Sequence, residues 1–498
     1  MCVLTTVNFE LCSRYSHTIC SLTLRLLRRQ IERNGRLFYV TSASIEPETE
    51  ARNSRSTGSG GGGSGRTDAE SFAASVAGVQ VTNGEEKVMK SGLAGCALAL
   101  CLSAAPALAQ DTIKIGYIDP LSGGGASTGE GGLKTYNFLA DEINAAGGLN
   151  GKKLEIVPLD SKANPQETLI QAQKAADQGI HIVIQGDGSS VGIALEDWVT
   201  KFNQRNPGKE ILYLNYGAID PVMTNDKCSY WHFRFEADVN MMMAALTTFM
   251  MDRPNIKKVY LINQDYSFGQ AVHVAARAML GQKRPDIQIV GDELIPLLKV
   301  TDFSPYIAKI KASGADSVIT GNWGQDMTLL LKSAADAGLQ TDWYTYYASA
   351  VGGPTAIKPT GLAHRIFEVQ EGFPNSAPEA AQKFETEFRA KEGMSVWYPR
   401  AVNEMNVLAK AITLAKADDA KSIAAQLEGM KIEAFDGGDA WIRKDDHQFF
   451  TDLFIASIGP LDPGAKFDEE GTGWGWKTIG AVKAIDTVLP TTCKMERP

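Results

Sequence analysis

The sequence lacks the short signatures of several chemistries. It has no H-E-x-x-H and no C-x-x-C, and the histidines of its main body, His181, His232, His273, His364 and His447, are scattered. No zinc-ligand spacing results, so metal chemistry finds no support. The glycine loop 123–125 is not followed by the Lys-Ser/Thr pair of a phosphate-cradling loop, and no G-x-G-x-x-G follows a strand pattern in the main body. No cofactor is therefore implied. Basic residues form no stripe with interleaved aromatics, and the formal charge is −9, which speaks against a nucleic-acid partner. The apolar run 93–105 is too short, and too rich in small residues, to span a membrane comfortably.

What is present begins with a front unlike the rest. Residues 1–88 mix an arginine-rich run with the low-complexity Ser56-Thr-Gly-Ser-Gly-Gly-Gly-Gly-Ser-Gly65. They lack the apolar periodicity that offsets the entropy of ordering, and are expected to be disordered. Lys87-Val-Met89-Lys90, the apolar run and Ala107-Leu-Ala109 then make the three parts of a secretory signal over 89–109, with cleavage near Ala109. Because such signals open a chain, Met89 is expected to be the start and 1–88 an upstream extension of the reading frame; a genuine extension is the alternative. Leu93-Ala-Gly-Cys96 also resembles a lipoprotein box, but too few apolar residues lie between Met89 and Cys96 to precede it. Without the front, only Cys228 and Cys493 remain of seven cysteines. In an exported protein they read as a disulfide pair, with two buried thiols as the alternative.

At 498 residues the chain is long enough for two or three domains with sizeable cores. Strand patterns over 112–118, 153–159, 180–184 and 211–215 alternate with helical patterns over 132–146, 166–178 and 193–202. The same grammar restarts after Asp238, with strands near 257–263, 287–295, 317–320 and 343–346. Such alternation means βαβ units and parallel sheets, whose ligands bind where the strands' carboxyl ends meet loops and helix N-termini. Helices near 379–391, 399–417 and 420–427 precede a β-rich end over 431–458, so the chain is expected to cross between two lobes more than once and form a hinge. Gly471-Thr-Gly-Trp-Gly-Trp476 reads as a tail docking across the lobes.

One corner has two readings. Gly188-Ser-Ser190-Val-Gly192 matches the G-x-S-x-G elbow of a serine hydrolase, with Ser190 as nucleophile. It also reads as a helix N-terminus with a hydroxyl facing an anionic or polar ligand atom. No H-G-G-like oxyanion loop precedes Ser190, and a second α/β unit follows it, which fits a two-lobed binding protein better than a hydrolase sheet.

Five segments in order resemble the type I periplasmic substrate-binding proteins of ABC transporters, in the leucine/isoleucine/valine-binding family. They are Ile115-Gly-Tyr-Ile-Asp-Pro-Leu-Ser-Gly123, Glu142-Ile-Asn-Ala-Ala-Gly-Gly-Leu-Asn-Gly151, residues 186–190, Tyr216-Gly-Ala218 and Asp265-Tyr-Ser-Phe-Gly269. The resemblance covers 113 to about 468. It implies an α/β fold of two Rossmann-like lobes with parallel sheets and a three-strand hinge: 110–236 with 375–447 as the first lobe, and 237–374 with 448–498 as the second lobe and C-terminal tail. It further implies a periplasmic, monomeric, non-enzymatic protein that captures a small carboxylate-bearing solute, a branched-chain or other apolar amino acid first, and delivers it to an inner-membrane ABC permease.

By the same resemblance, Ser190 and the turn Ala218, Ile219 and Asp220 would receive the carboxylate, with Thr128 nearby, while Phe268 and Trp323 cover the solute from the second lobe. Tyr347 stands where amino-acid binders of the family carry an acid for the ligand ammonium. Two alternatives follow: Asp220, Asp265 or Asp326 takes that role, or the solute is an aromatic or aliphatic carboxylate with no ammonium.

Overall fold

Residues 112–396 and 398–498 are described by the computed structural model; the expectations for a disordered front, a signal sequence and a cleavage site fall outside them. Strand β1 (Thr112–Asp119) has a carboxyl half buried on both faces, because helices cover both sides of its sheet. Helix α1 (Ala126–Ala145), strand β2 (Lys153–Asp160), helix α2 (Pro165–Asp177), strand β3 (Ile182–Gln185), helix α3 (Ser189–Arg205), strand β4 (Leu212–Asn215) and strand β5 (His232–Arg234) complete the first unit. Its sheet is wholly parallel in the order β2-β1-β3-β4-β5. Every residue of β3 and β4 is buried, and truncating Ile184 to alanine in this close-packed layer should cost about 2–5 kcal/mol.

Helix α1 starts six residues before its expected beginning at 132, since its first turns pack on the end of β1. Gly129 allows this approach: a Cβ there would lie 1.9 Å from the carbonyl oxygen of Pro120. Helix α2 is opened by Asn164, whose side chain accepts from the amides of Gln166 and Glu167 and satisfies two otherwise unpaired donors.

The second unit runs through α4 (Val239–Met251), β6 (Lys258–Gln264), α5 (Ser267–Lys283), β7 (Gln288–Ile295), α6 (Ser304–Ser313), β8 (Ser317–Thr320), α7 (Gly324–Asp336), β9 (Asp342–Thr345), α8 (Gly353–Ile357) and β10 (Ile366–Gln370). The chain then returns to pack α9 (Glu379–Glu392), α10 (Pro399–Ala415) and α11 (Ala420–Leu427) with the first unit, and adds a small antiparallel sheet of β11 (Lys431–Glu433), β12 (Asp439–Ile442) and β13 (Phe449–Phe450). A third crossing leads to β14 (Leu453–Pro460) and β15 (Trp474–Val482). The second sheet has the order β15-β14-β10-β9-β8-β6-β7, parallel from β10 to β7 and antiparallel at its other edge. Two lobes are thus linked by three chain crossings, near residues 235–238, 371–374 and 451–452.

Two details differ from the sequence reading. Trp474 to Trp476, expected in a tail docking across the lobes, open an edge strand of the second sheet, held by an antiparallel ladder with β14. The last residues, grouped above with the second lobe, return to the first: Thr491 donates to the carbonyl of Thr224, and Thr492 to Asn225. Cys228 and Cys493 are joined in a disulfide across 265 positions of sequence.

Candidate functional site

Both parallel sheets have a point where the strand order reverses, between β1 and β3 in one and between β6 and β8 in the other. Neighbouring crossover loops diverge there and leave a crevice at the strands' carboxyl ends. A narrow cavity lies where the two crevices face each other. Gly186, Asp187 and Gly188 follow β3, Gly217 follows β4, and Tyr398 and Arg400 stand at the start of α10. From the opposite lobe come Tyr266 and Phe268 after β6, Trp323 after β8 and Tyr347 after β9.

The first-lobe face is built from backbone and charge. Asp119, fully buried at the end of β1, accepts from the amide of Asp187 at 2.8 Å and from the Tyr216 hydroxyl at 2.8 Å, and so fixes the loop after β3. Burial holds Asp119 well above the usual carboxylate range, and the nearby Asp187 adds to the effect. Gly188 has φ of 102°, a conformation that favours glycine, and turns the chain from the cavity lining into α3, whose N-terminus therefore begins beside the crevice.

Asp187 itself is buried, and burial pushes its carboxyl up to about 6, although the Thr128 and Tyr398 hydroxyls beside it and the Arg400 charge act in the opposite direction. The Tyr398 hydroxyl donates to it at 3.2 Å, and it makes no ion pair among the described residues. The other charge is already engaged: the Arg400 guanidinium meets Glu236 at 3.2 Å and Glu371 at 3.4 Å, and donates to the Tyr216 carbonyl at 2.6 Å. Burial opposes its charge, but the two glutamates outweigh that and raise its pKa.

The second-lobe face is aromatic. The Trp323 indole donates to the Tyr266 hydroxyl at 2.7 Å, and the Phe268 ring centroid lies 5.8 Å from those of Tyr266 and Tyr347. The Tyr347 ring lies 6.0 Å from the Arg400 guanidinium, and its hydroxyl counteracts the rise that burial gives the Glu236 carboxyl.

Of the residues expected at the site, Phe268, Trp323 and Tyr347 line this cavity. Ser190 sits one residue inside α3, half-buried, and is not among the described lining residues. Thr128 lies in the first turn of α1, where its hydroxyl donates to the Gly125 carbonyl at 2.7 Å. Ala218, Ile219 and Asp220 lie beside the crevice rather than in it. Asn215 closes their turn by accepting from the amides of Gly217 and Ala218, and the Asp220 amide is taken by the Ser189 hydroxyl.

Neither do Asp265 and Asp326 line the cavity. The Asp326 carboxylate accepts from Gln264 at 2.8 Å and from the Leu298 amide at 2.7 Å, while Asp265 accepts from Gln270 at the surface. The acid in the cavity is Asp187, inside the very loop singled out for Ser190. Sequence reasoning also passed over Tyr398 and Arg400, although an arginine at the N-terminus of an apolar helix pattern is a signal, because a cation there is disfavoured by the helix dipole unless acids surround it.

Residues 112–464 match the family model of periplasmic binding proteins. The chain is 32% identical over 423 residues to the Leu/Ile/Val-binding protein homolog 4 of Brucella abortus, covering 82% of this chain and 98% of that protein. The closed conformation of the leucine-, isoleucine-, valine-, threonine- and alanine-binding protein from Brucella ovis superposes with a TM-score of 0.68 at 30% identity, over 78% of this chain and all of that one. A solute-binding protein of an ABC transporter from Rhodopseudomonas palustris, in complex with 3,4-dihydroxybenzoic acid, shares the fold with a TM-score of 0.62 at 18% identity, over 75% and 98% of the two chains. The two lobes, the cavity at their facing switch points and these likenesses together place the chain in the type I periplasmic binding protein family, among the branched-chain amino acid receptors that hold a small solute in the periplasm for a membrane permease and catalyse no reaction.

Proposed function

We propose that the solute is an apolar α-amino acid, held with its carboxylate on the first amides of α3 and its ammonium against Asp187. The observation that carries this reading is the charge balance of the cavity. Arg400 is engaged by Glu236 and Glu371, whereas the Asp187 carboxyl, beside the Thr128 and Tyr398 hydroxyls, feels the Arg400 charge without an ion pair to it among the described residues, so a solute that brings its own cation adds the missing contact. Zwitterion ends lie close together, which suits an anion site and an acid on adjacent residues. Tyr266, Phe268, Trp323 and Tyr347 then cover the apolar body, as apolar pockets with few polar groups do. Phe268, Trp323 and Tyr347 are accordingly proposed as binding residues, with Ser190, Thr128 and Ala218 to Asp220 supporting the loop behind them. Delivery is to an ABC permease, as a monomer, after export through a signal sequence ending near Ala109.

Capture works by differential contact. A solute touching both lobes stabilises their approach only by the contacts it gains there. A thermal-shift screen against branched-chain and aromatic amino acids and against benzoate and 4-hydroxybenzoate tests the reading, since a binder raises the melting temperature with the logarithm of ligand excess. Leucine, isoleucine or valine should shift it. A second reading, an aromatic carboxylate, draws on the ring-rich lining and on Tyr347 standing where an acid was expected; shifts with benzoates and none with amino acids would establish it instead.

A further inference from the structure

The loop between β14 and β15, residues 461–473, reaches out of the second lobe and binds the first. Phe467 is buried there, its amide and carbonyl both bonded by the side chain of Asn375 at 3.0 and 2.6 Å. Arg389 of α9 donates to the Asp468 carbonyl, meets Glu469 at 3.3 Å and stacks over the Phe467 ring at 5.2 Å. The Ser395 hydroxyl donates to Glu469 as well. Helix α9 is fastened to the first lobe: Phe384 and Phe388 pack on Phe138 of α1, and Lys391 pairs with Asp141.

The other side of the loop is tied to its own lobe. Glu470 accepts from the amides of Gly352 and Thr355 and from the Thr355 hydroxyl, and Lys358 donates to the Thr472 carbonyl. The loop is therefore a stiff strap, anchored in series on α8 of one lobe and α9 of the other. Lobes moving apart about crossings near 371–374 must stretch or break one of these anchors.

We propose that residues 466–470 form a latch that favours the approached arrangement of the lobes before any solute is bound, so that Arg389 and Glu469 set solute affinity without touching the solute. The latch differs from the hinge itself, because it is made of side-chain bonds that can open, and from the cavity, because none of its residues lines it. The inference rests on closure being the means of capture, but its test does not need the solute's identity.

Spin labels at Lys174→Cys on α2 and Lys332→Cys on α7 report the inter-lobe distance in solute-free full-length protein by double electron–electron resonance. The starting protein should show a dominant short-distance population. Arg389→Leu should raise the ratio of long to short distances about tenfold, the scale for losing one charge-assisted contact. Glu470→Gln, which loosens the opposite anchor and leaves Arg389 intact, should shift the distances the same way. Unchanged distributions in both variants would overturn the latch. If Arg389→Leu fails to fold, Glu470→Gln alone decides. With leucine added, dissociation should be about tenfold faster from either variant; leucine that binds none of the proteins would count against the amino-acid reading, while the distances would still judge the latch.

Discussion

The two faces of the cavity are made of opposite materials. The first lobe presents glycines, helix amides, Asp187 and a caged Arg400, all placed by hydrogen bonds to buried groups such as Asp119 and Glu236. The second presents Tyr266, Phe268, Trp323 and Tyr347, placed by ring packing. On the proposed reading, one face reads charge and direction, and the other supplies contact area. If so, selectivity and affinity are separable in this cleft, and variants on the two faces should fail differently.

The largest effect should come from the first face. Arg400→Met leaves Glu236 and Glu371 buried without their cation, a loss of about 3–5 kcal/mol in urea denaturation, accompanied by loss of solute binding. Trp323→Phe, which keeps a ring in the buried position, should lower the melting temperature of the solute-free protein far less than Arg400→Met does while weakening the solute dissociation constant about tenfold, since it trims a central aromatic anchor. A Trp323 variant as unstable as the Arg400 variant would erase the distinction between the faces.

Acidity should act on the first face alone. Burial raises the Asp187 carboxyl to about 6, so in the solute-free protein its protonated form is favoured below that pH, and the stability this contributes is lost as pH rises from about 4 through 6. A bound ammonium requires the ionised form. Calorimetric titration should therefore show affinity falling about tenfold per pH unit below 6, and level above 7. Asp187→Asn should abolish that slope. The smallest effect is Tyr347→Phe, which keeps the ring and removes one buried hydroxyl that acts on Glu236, worth about 1 kcal/mol of stability by urea denaturation.

Much of the architecture was legible because periodicity is a local property. The buried run at Ile182 to Gln185 and the helix Val239–Met251 stand where apolar spacing puts them. Short strands such as β5 and β10 were passed over, since three to five buried residues carry little periodic signal. Three members of the aromatic face were legible through loop position. The charged face was not: whether the Ala218 amide points at a solute or at Asn215 depends on a turn closed by one side chain, and Arg400 reads as helix surface until Glu236 and Glu371 arrive from distant crossings.

The most direct measurement compares leucine with 4-methylpentanoate, which differs only in lacking the ammonium, by calorimetric titration of the full-length chain at pH 7.5. The charge balance around Asp187 and Arg400 predicts binding of leucine and at least a hundredfold weaker binding of the acid, the scale of leaving a buried charged group unpaired. Equal affinity for the two, or tighter binding of the acid, would contradict it.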